Sequence, residues 1–333
     1  MKRRNIWRGL FVFALFALVL TGCSGHESLN VLDPSGSAGE KQLDLIKLSF
    51  LIMLGVFAVV ITIYIYVLIR FRKRKGVDVM PKQTHGNTKL EIIWTVIPII
   101  LLGILAVPTV TTTFDLTKIA QDEEVVNVKV TGYQYWWEFE YPELGIKTAQ
   151  ELHIPVGKKI NFEIHGKDVL HSFWIPALGG KVDVIPGRVT NVILDANKPG
   201  DYQGKCAELC GAGHALMDFK VKAHSAEDFD KWVTQMQAPP AELTTDSEKR
   251  GEEVFQQNCL GCHAGINQSV PGPDLSKFGT RDTIAGMLKN NPENLKKWLH
   301  DPQAIKAGAN MPKIDYLEEK DLDALVDYLE SRK

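Results

Sequence analysis

Cysteine is scarce in this chain: there are five in 333 residues, at positions 23, 206, 210, 259 and 262. That is too few for a disulfide scaffold, and their grouping as one, two and two points to separate local tasks. Net charge is nearly absent as well, since 38 Lys and Arg face 40 Asp and Glu and leave −2. Without a basic excess there is no electrostatic footprint for nucleic acid, and no nucleic-acid partner is expected. Residues 48–69 and 92–113 lack Asp, Glu, Lys and Arg altogether. Apolar runs of that length predict two transmembrane helices rather than buried soluble ones.

What is present begins at the N-terminus. Lys2, Arg3 and Arg4 precede the apolar stretch "GLFVFALFALVL", and "LTGC" follows at residues 20–23. A charged start, an apolar middle and small residues before a cleavage point predict a signal peptide over 1–22. The "LTGC" stretch resembles a lipoprotein cleavage box, which implies that Cys23 carries lipid; the plainer reading is an ordinary signal peptide with a cysteine nearby. The basic cluster "RFRKRK" (70–75) lies between the two apolar runs. The positive-inside rule puts it in the cytoplasm, so the mature N-terminus and everything after residue 114 face outward. Pro98 and Pro108 in the second run are tolerated where neighbours satisfy the freed carbonyls, which hints at packing against another membrane protein.

From residue 124 the pattern changes to period two, with Val126, Val128 and Val130 alternating with polar residues. Short β-branched runs then alternate with turn signals such as "PVGK" and "NKPGD". An all-β Greek-key sandwich or barrel is predicted over 115–236. Inside it lies "GKCAELCGAGHALMDFK" (204–220), which sets Cys206, Cys210, His214 and Met217 close together. A Cys206–Cys210 disulfide would close a tiny loop and leave His214 and Met217 unexplained. Met is a poor zinc ligand, whereas thiolate, imidazole and thioether together select copper. A single blue copper needs one Cys and two His, so one Cys is surplus. Two thiolates can instead bridge two coppers, each with its own His. "DVLHSFWIP" supplies the second imidazole, His171, ahead of an aromatic stretch that would shield the site.

Those two motifs resemble the dinuclear CuA domain of cytochrome c oxidase subunit II, a cupredoxin fold preceded by two membrane spans. The resemblance covers roughly residues 40–225. It implies Cys206 and Cys210 as bridging ligands, with His171 and His214 contributing one imidazole per copper. Met217 and the backbone carbonyl of Glu208 would be weak axial ligands. The Glu208 carboxylate would also reach a magnesium or manganese ion shared with subunit I. "TGYQYWWEFEY" resembles the aromatic segment through which electrons enter CuA, and so points to Tyr135 and Trp136. Family members often have Trp where this chain has Tyr135; the plainer reading is an aromatic strand that packs the domain. Glu91, at the cytoplasmic mouth of the second span, is by the same resemblance a proton-uptake residue, with simple snorkelling as the alternative.

A polar, proline-containing linker is expected at 237–246, and the pattern then turns helical to the end of the chain. "CLGCH" is the attachment signature of c-type heme, with Cys259 and Cys262 as thioether anchors and His263 as an iron ligand. Met311 in "GANMPKI" supplies the sixth ligand, and "PGPDL" resembles the heme-facing loop of cytochromes c. Leu322, Leu325, Val326 and Leu329 form the apolar stripe of a terminal helix. Residues 247–333 therefore read as an all-α class I cytochrome c domain. The cysteines are then fully used: one for lipid, two for copper, two for heme. The other six histidines read as surface or structural.

The whole resembles subunit II of a caa-type cytochrome c oxidase in a bacterial cell membrane. Its partners would be subunit I, further oxidase subunits and a cytochrome c or similar donor. Electrons would pass from heme c to CuA and on to the subunit I hemes, where oxygen is reduced and protons are pumped. The alternative is a membrane-anchored copper and heme carrier outside any oxidase.

Overall fold

The structure, a computed structural model, describes residues 11, 13, 29–72, 83, 86–118, 124–263 and 272–333. The rest of the signal peptide, Cys23 and residues 73–75 of the basic cluster lie outside the described residues. The chain divides into two units, residues 40–120 and the remainder.

The first unit consists of helices α1 (Ser37–Arg70, whose opening residues belong to the other unit) and α2 (Thr88–Leu116). Each contains a window of mean hydropathy 2.8 or 2.5, none of it buried by protein. Such surfaces are stable in lipid, where only a helix satisfies its own backbone. Both helices outrun the charge-free segments. At 1.5 Å per residue the 34 residues of α1 reach about 51 Å, well beyond a hydrocarbon core of about 30 Å. Asn87 caps α2 by accepting from the Lys89 and Leu90 amides at 3.0 and 3.3 Å. Pro98 and Pro108 both lie inside α2.

In the second unit, ten strands form two five-stranded sheets. They are β1 (Val125–Tyr133), β2 (Trp136–Tyr141), β3 (Ile146–Ala149), β4 (Glu151–Pro155), β5 (Lys159–Gly166), β6 (His171–Trp174), β7 (Val182–Val184), β8 (Val189–Leu194), β9 (Gly200–Cys206) and β10 (Asp218–His224). The sheet orders are β3-β2-β1-β5-β8 and β4-β10-β9-β6-β7. Pairing is antiparallel except for β1 with β5 and β4 with β10. The period-two pattern does what it predicts: Val128, Val130, Ile160, Phe162 and Ile164 are all fully buried. Trp137, Phe173 and Phe219 meet between the sheets with ring centroids 5.1–5.6 Å apart. Burying each such ring contributes about 2–3 kcal/mol, so the frame has a core without help from its metal ligands.

The sandwich also carries a helix, α3 (Ala226–Gln237), capped by Ser225. Its Trp232 stacks on His153 at 4.4 Å, and His153 Nδ1 lies 2.8 Å from His224 Nε2.

The helical region contains α4 (Asp246–Asn258), α5 (Leu260–His263), α6 (Pro292–His300), α7 (Pro302–Ile305) and α8 (Glu319–Ser331). A small ribbon, β11 (Thr283–Ile284) with β12 (Leu288–Lys289), interrupts them. Thr245 and Glu248 form a capping box at the start of α4. Leu322, Leu325, Val326 and Leu329 are buried, as the terminal stripe predicts. At Gly251 a Cβ would fall 1.9 Å from the Ala324 carbonyl, so glycine is what lets α4 and α8 approach.

Candidate metal centres

The first centre lies where β6 begins, β9 ends and the 207–217 loop returns to β10. His171 opens β6 and is fully buried; Cys206 closes β9. The two sulfurs, Cys206 Sγ and Cys210 Sγ, are 3.9 Å apart, far from the bonding distance of a disulfide. Each faces one imidazole nitrogen: Cys206 Sγ is 3.8 Å from His171 Nδ1, and Cys210 Sγ is 3.6 Å from His214 Nδ1. Met217 Sδ lies 3.8 Å from Cys210 Sγ, and the Glu208 carbonyl 3.3 Å from Cys206 Sγ. The donor atoms of His171, Cys206 and Cys210 all fall within 4.8 Å of one another.

Each titratable group of this cluster is shifted by burial and by its neighbours. Burial pushes the Cys206 thiol up, yet contacts with His171, the Glu208 carbonyl and Ser172 outweigh it and bring the thiol down to about 6. Burial and then the neighbouring Cys206 charge push Cys210 up to about 12. Two thiolates this close do not both ionise without positive charge beside them, which copper held by these residues would supply. His171 is lowered by burial but raised more strongly by Asp168 and Cys206, to about 9. Its Nε2 is held by the Asp168 carboxylate at 2.8 Å, which leaves Nδ1 aimed at the sulfur. A carboxylate on the far ring nitrogen is the usual way to orient a metal-binding imidazole.

The second centre is on the helical region. Cys259 ends α4 and is buried, and Cys262 and His263 follow on α5. His263 Nδ1 donates to the Pro273 carbonyl at 2.8 Å, leaving Nε2 free to bind iron. Burial also lowers its pKa, which keeps the imidazole neutral as a ligand must be. Met311 packs, half-buried, on the apolar core that contains Cys259. The soft and aromatic donor set thus fits copper at the first centre and heme c at the second.

Of the other expected residues, Tyr135 is 9% exposed beside the copper loop, whereas Trp136 stacks on Tyr133 at 4.4 Å. Glu208 turns its carboxylate toward Lys181, 3.7 Å away. Glu91 lies exposed in the first turn of α2. Sequence reasoning missed Asp168 and Gln134. Gln134 donates from its amide to Asp168 at 2.6 Å and from its side chain to the Cys210 carbonyl at 2.6 Å. The spacing of Asp168 three residues before His171 was a usable signal; nothing local flags Gln134.

A cupredoxin-like sandwich with a His–Cys–Cys–Met centre, joined to a heme-binding helical region and two membrane helices, defines a membrane electron-transfer protein. Family comparisons agree segment by segment. Residues 24–112 match the transmembrane domain of cytochrome c oxidase subunit II, 144–224 its periplasmic domain, and 248–333 cytochrome c. The chain is 48% identical to cytochrome c oxidase subunit 2 of Alkalihalophilus pseudofirmus over 96% of its own length and 95% of the relative's. With the Bacillus subtilis (strain 168) cytochrome c oxidase subunit 2 the identity is 44% over 98% of both chains. A quinol oxidase subunit 2 from the same bacterium is 40% identical but spans 75% of this chain. The chain belongs to the cytochrome c oxidase subunit II family, as a caa-type member with a CuA-type domain fused to a cytochrome c domain. It is the electron-transfer subunit and performs no oxygen chemistry itself.

Proposed function

We propose that the first centre holds two coppers bridged by Cys206 and Cys210, with His171 on one metal and His214 on the other. Met217 and the Glu208 carbonyl complete the set as weak ligands. The pairing of each sulfur with its own Nδ1, at 3.8 and 3.6 Å, carries this reading. Heme c is attached at Cys259 and Cys262, with His263 and Met311 on its iron. When bound, these groups supply one-electron transfer from a cytochrome c or similar donor through heme c and CuA toward the hemes of subunit I, where oxygen is reduced and protons are pumped. The side chains have their own tasks. The sandwich holds the donors in fixed positions, so little rearrangement accompanies each transfer. Asp168 orients His171, and the Pro273 carbonyl orients His263. Tethering the cytochrome makes electron delivery intramolecular, at an effective concentration of roughly millimolar.

Further assignments belong to the same reading. Tyr135 and Trp136 receive electrons, Tyr135 lying against the copper loop and Trp136 stacked on Tyr133. The Glu208 carboxylate contributes to a magnesium or manganese site shared with subunit I, and Glu91 takes up protons at the cytoplasmic side. Lipidated Cys23 follows a signal peptide ending at residue 22. Spans near 48–69 and 92–113 place the copper domain (115–236), linker (237–246) and cytochrome domain (247–333) on the outer face.

The test is metal content and electron paramagnetic resonance of the purified oxidase. Two coppers per heme c in this subunit, with one unpaired electron shared equally over two nuclei, are expected. A single copper with a localised signal would overturn the bridged centre.

A further inference from the structure

The sandwich and the cytochrome region meet through polar groups whose partners lie far off in sequence. Glu151 opens β4, and only 2% of it is exposed. Its Oε1 accepts from the backbone amides of Asp282 and Thr283 at 2.9 Å each and from the Thr283 hydroxyl at 3.0 Å. A buried carboxylate is costly unless donors surround it, and here every one of these donors comes from the other domain. Lys222 on β10 stands 3.9 Å from the second oxygen of Glu151 and 2.6 Å from the Asp282 carboxylate. The neighbouring Gln150 donates to the Ala285 carbonyl at 3.1 Å, and Lys306 donates to that same oxygen at 3.0 Å.

A second patch of the interface touches the copper loop. Asn310 Nδ2 donates to the Gln134 carbonyl at 3.2 Å. At Gly308, with φ of +81°, a Cβ would fall 2.7 Å from the Tyr135 ring; at Gly213, in the copper loop, it would fall 2.5 Å from that ring and 2.8 Å from the Ala307 carbonyl. Glycine at both positions lets the segment leading to Met311, the Tyr135 ring and the copper loop close up without a gap. None of these contacts is needed to complete either metal centre.

We propose that Glu151 is a docking residue, whose carboxylate latches the 282–283 amides and so holds the 307–310 segment, with Met311 next to it, on Tyr135 above the copper loop. The latch itself stands on these contacts; its consequence for electron passage rests on the relay described above. Glu151 touches neither centre and acts by position alone.

The latch is tested in the full-length, heme- and copper-loaded oxidase by amide exchange and by the rate of heme-to-copper electron passage after a flash-excited dye reduces the heme. Glu151→Leu is expected to raise exchange at 282–286 and 307–310 by roughly tenfold or more. Electron passage should slow by a similar factor, with the heme and copper absorption spectra unaltered. Glu151→Gln keeps an accepting oxygen and is expected to stay within roughly threefold of wild type. Wild-type protection in Glu151→Leu overturns the latch. If that variant loses its copper spectrum, Thr283→Pro removes one latching amide together with the hydroxyl from the cytochrome side, and unchanged exchange at 307–310 then overturns the latch. Exchange reports the latch and the flash rate reports the relay. A wild-type protein without electron passage would therefore remove the relay reading while exchange still decided the latch.

Discussion

The copper and heme regions differ in how much core lies beside their ligands. In the sandwich the donors sit at one end of a frame whose aromatic core, Trp137, Phe173 and Phe219, is at most 1% exposed, and His171 meets Trp137 edge-on. In the helical region Cys259 is a member of the apolar core, and Met311, Leu260 and Leu275 pack on it partly buried. The sandwich has a large aromatic core beside its buried donors, whereas the smaller helical core is built around Cys259 itself. The lesson is that losing the cofactor should cost function in the first region and structure in the second.

The largest expected effect follows from that contrast. A Cys259→Ser, Cys262→Ser chain, unable to anchor heme, should lose cooperative melting of the helical region while the sandwich still melts as a unit. Helical circular dichroism followed against temperature checks this; a retained helical transition would erase the distinction. Next comes Cys206→Ala, which should lower copper binding by roughly 100-fold or more yet cost the sandwich only about 1 kcal/mol. Copper titration and thermal melting of the same preparation separate the two numbers. Asp168→Asn sharpens the comparison further. It leaves every donor in place but weakens the hold on His171 Nε2, and copper affinity should fall by about 10–100-fold.

The smallest effect concerns protons. His153 and His224 are both held below their ordinary 6.5, chiefly by burial. The folded sandwich therefore binds fewer protons than the unfolded chain in the range just below that value. Its stability is complete above about pH 6.5 and declines as the pH falls from there toward the lowered values. His153→Phe keeps the stacking on Trp232 and should flatten this decline, as melting curves between pH 7 and 5 would show. An unchanged slope would mean that other groups set the acid limit.

Much of the centre was legible because its donors cluster along the chain. Cys206, Cys210, His214 and Met217 fall within one loop, and Cys259, Cys262 and His263 within one turn, so spacing alone marks them. The strands of the sandwich were legible from alternation. Less so were α3 and the β11–β12 ribbon, which are short and take their stability from what they pack on. The histidines read as surface or structural proved to include a stacked pair, buried His153 and half-buried His224, which no local pattern announces. Glu151 sits in a run of strand residues and carries no motif at all.

Two apolar spans, the choice of copper over zinc and the attachment of heme were determined by the sequence itself, because residue type and short spacing set lipid preference, ligand softness and thioether chemistry. Which carboxylate orients His171, which tyrosine meets the copper loop and how the cytochrome seats itself were decided only by the tertiary structure. Those choices depend on groups up to 176 residues apart, such as Gln134 and Asn310, whose meeting is set by the closing of two sheets and the packing of a second domain.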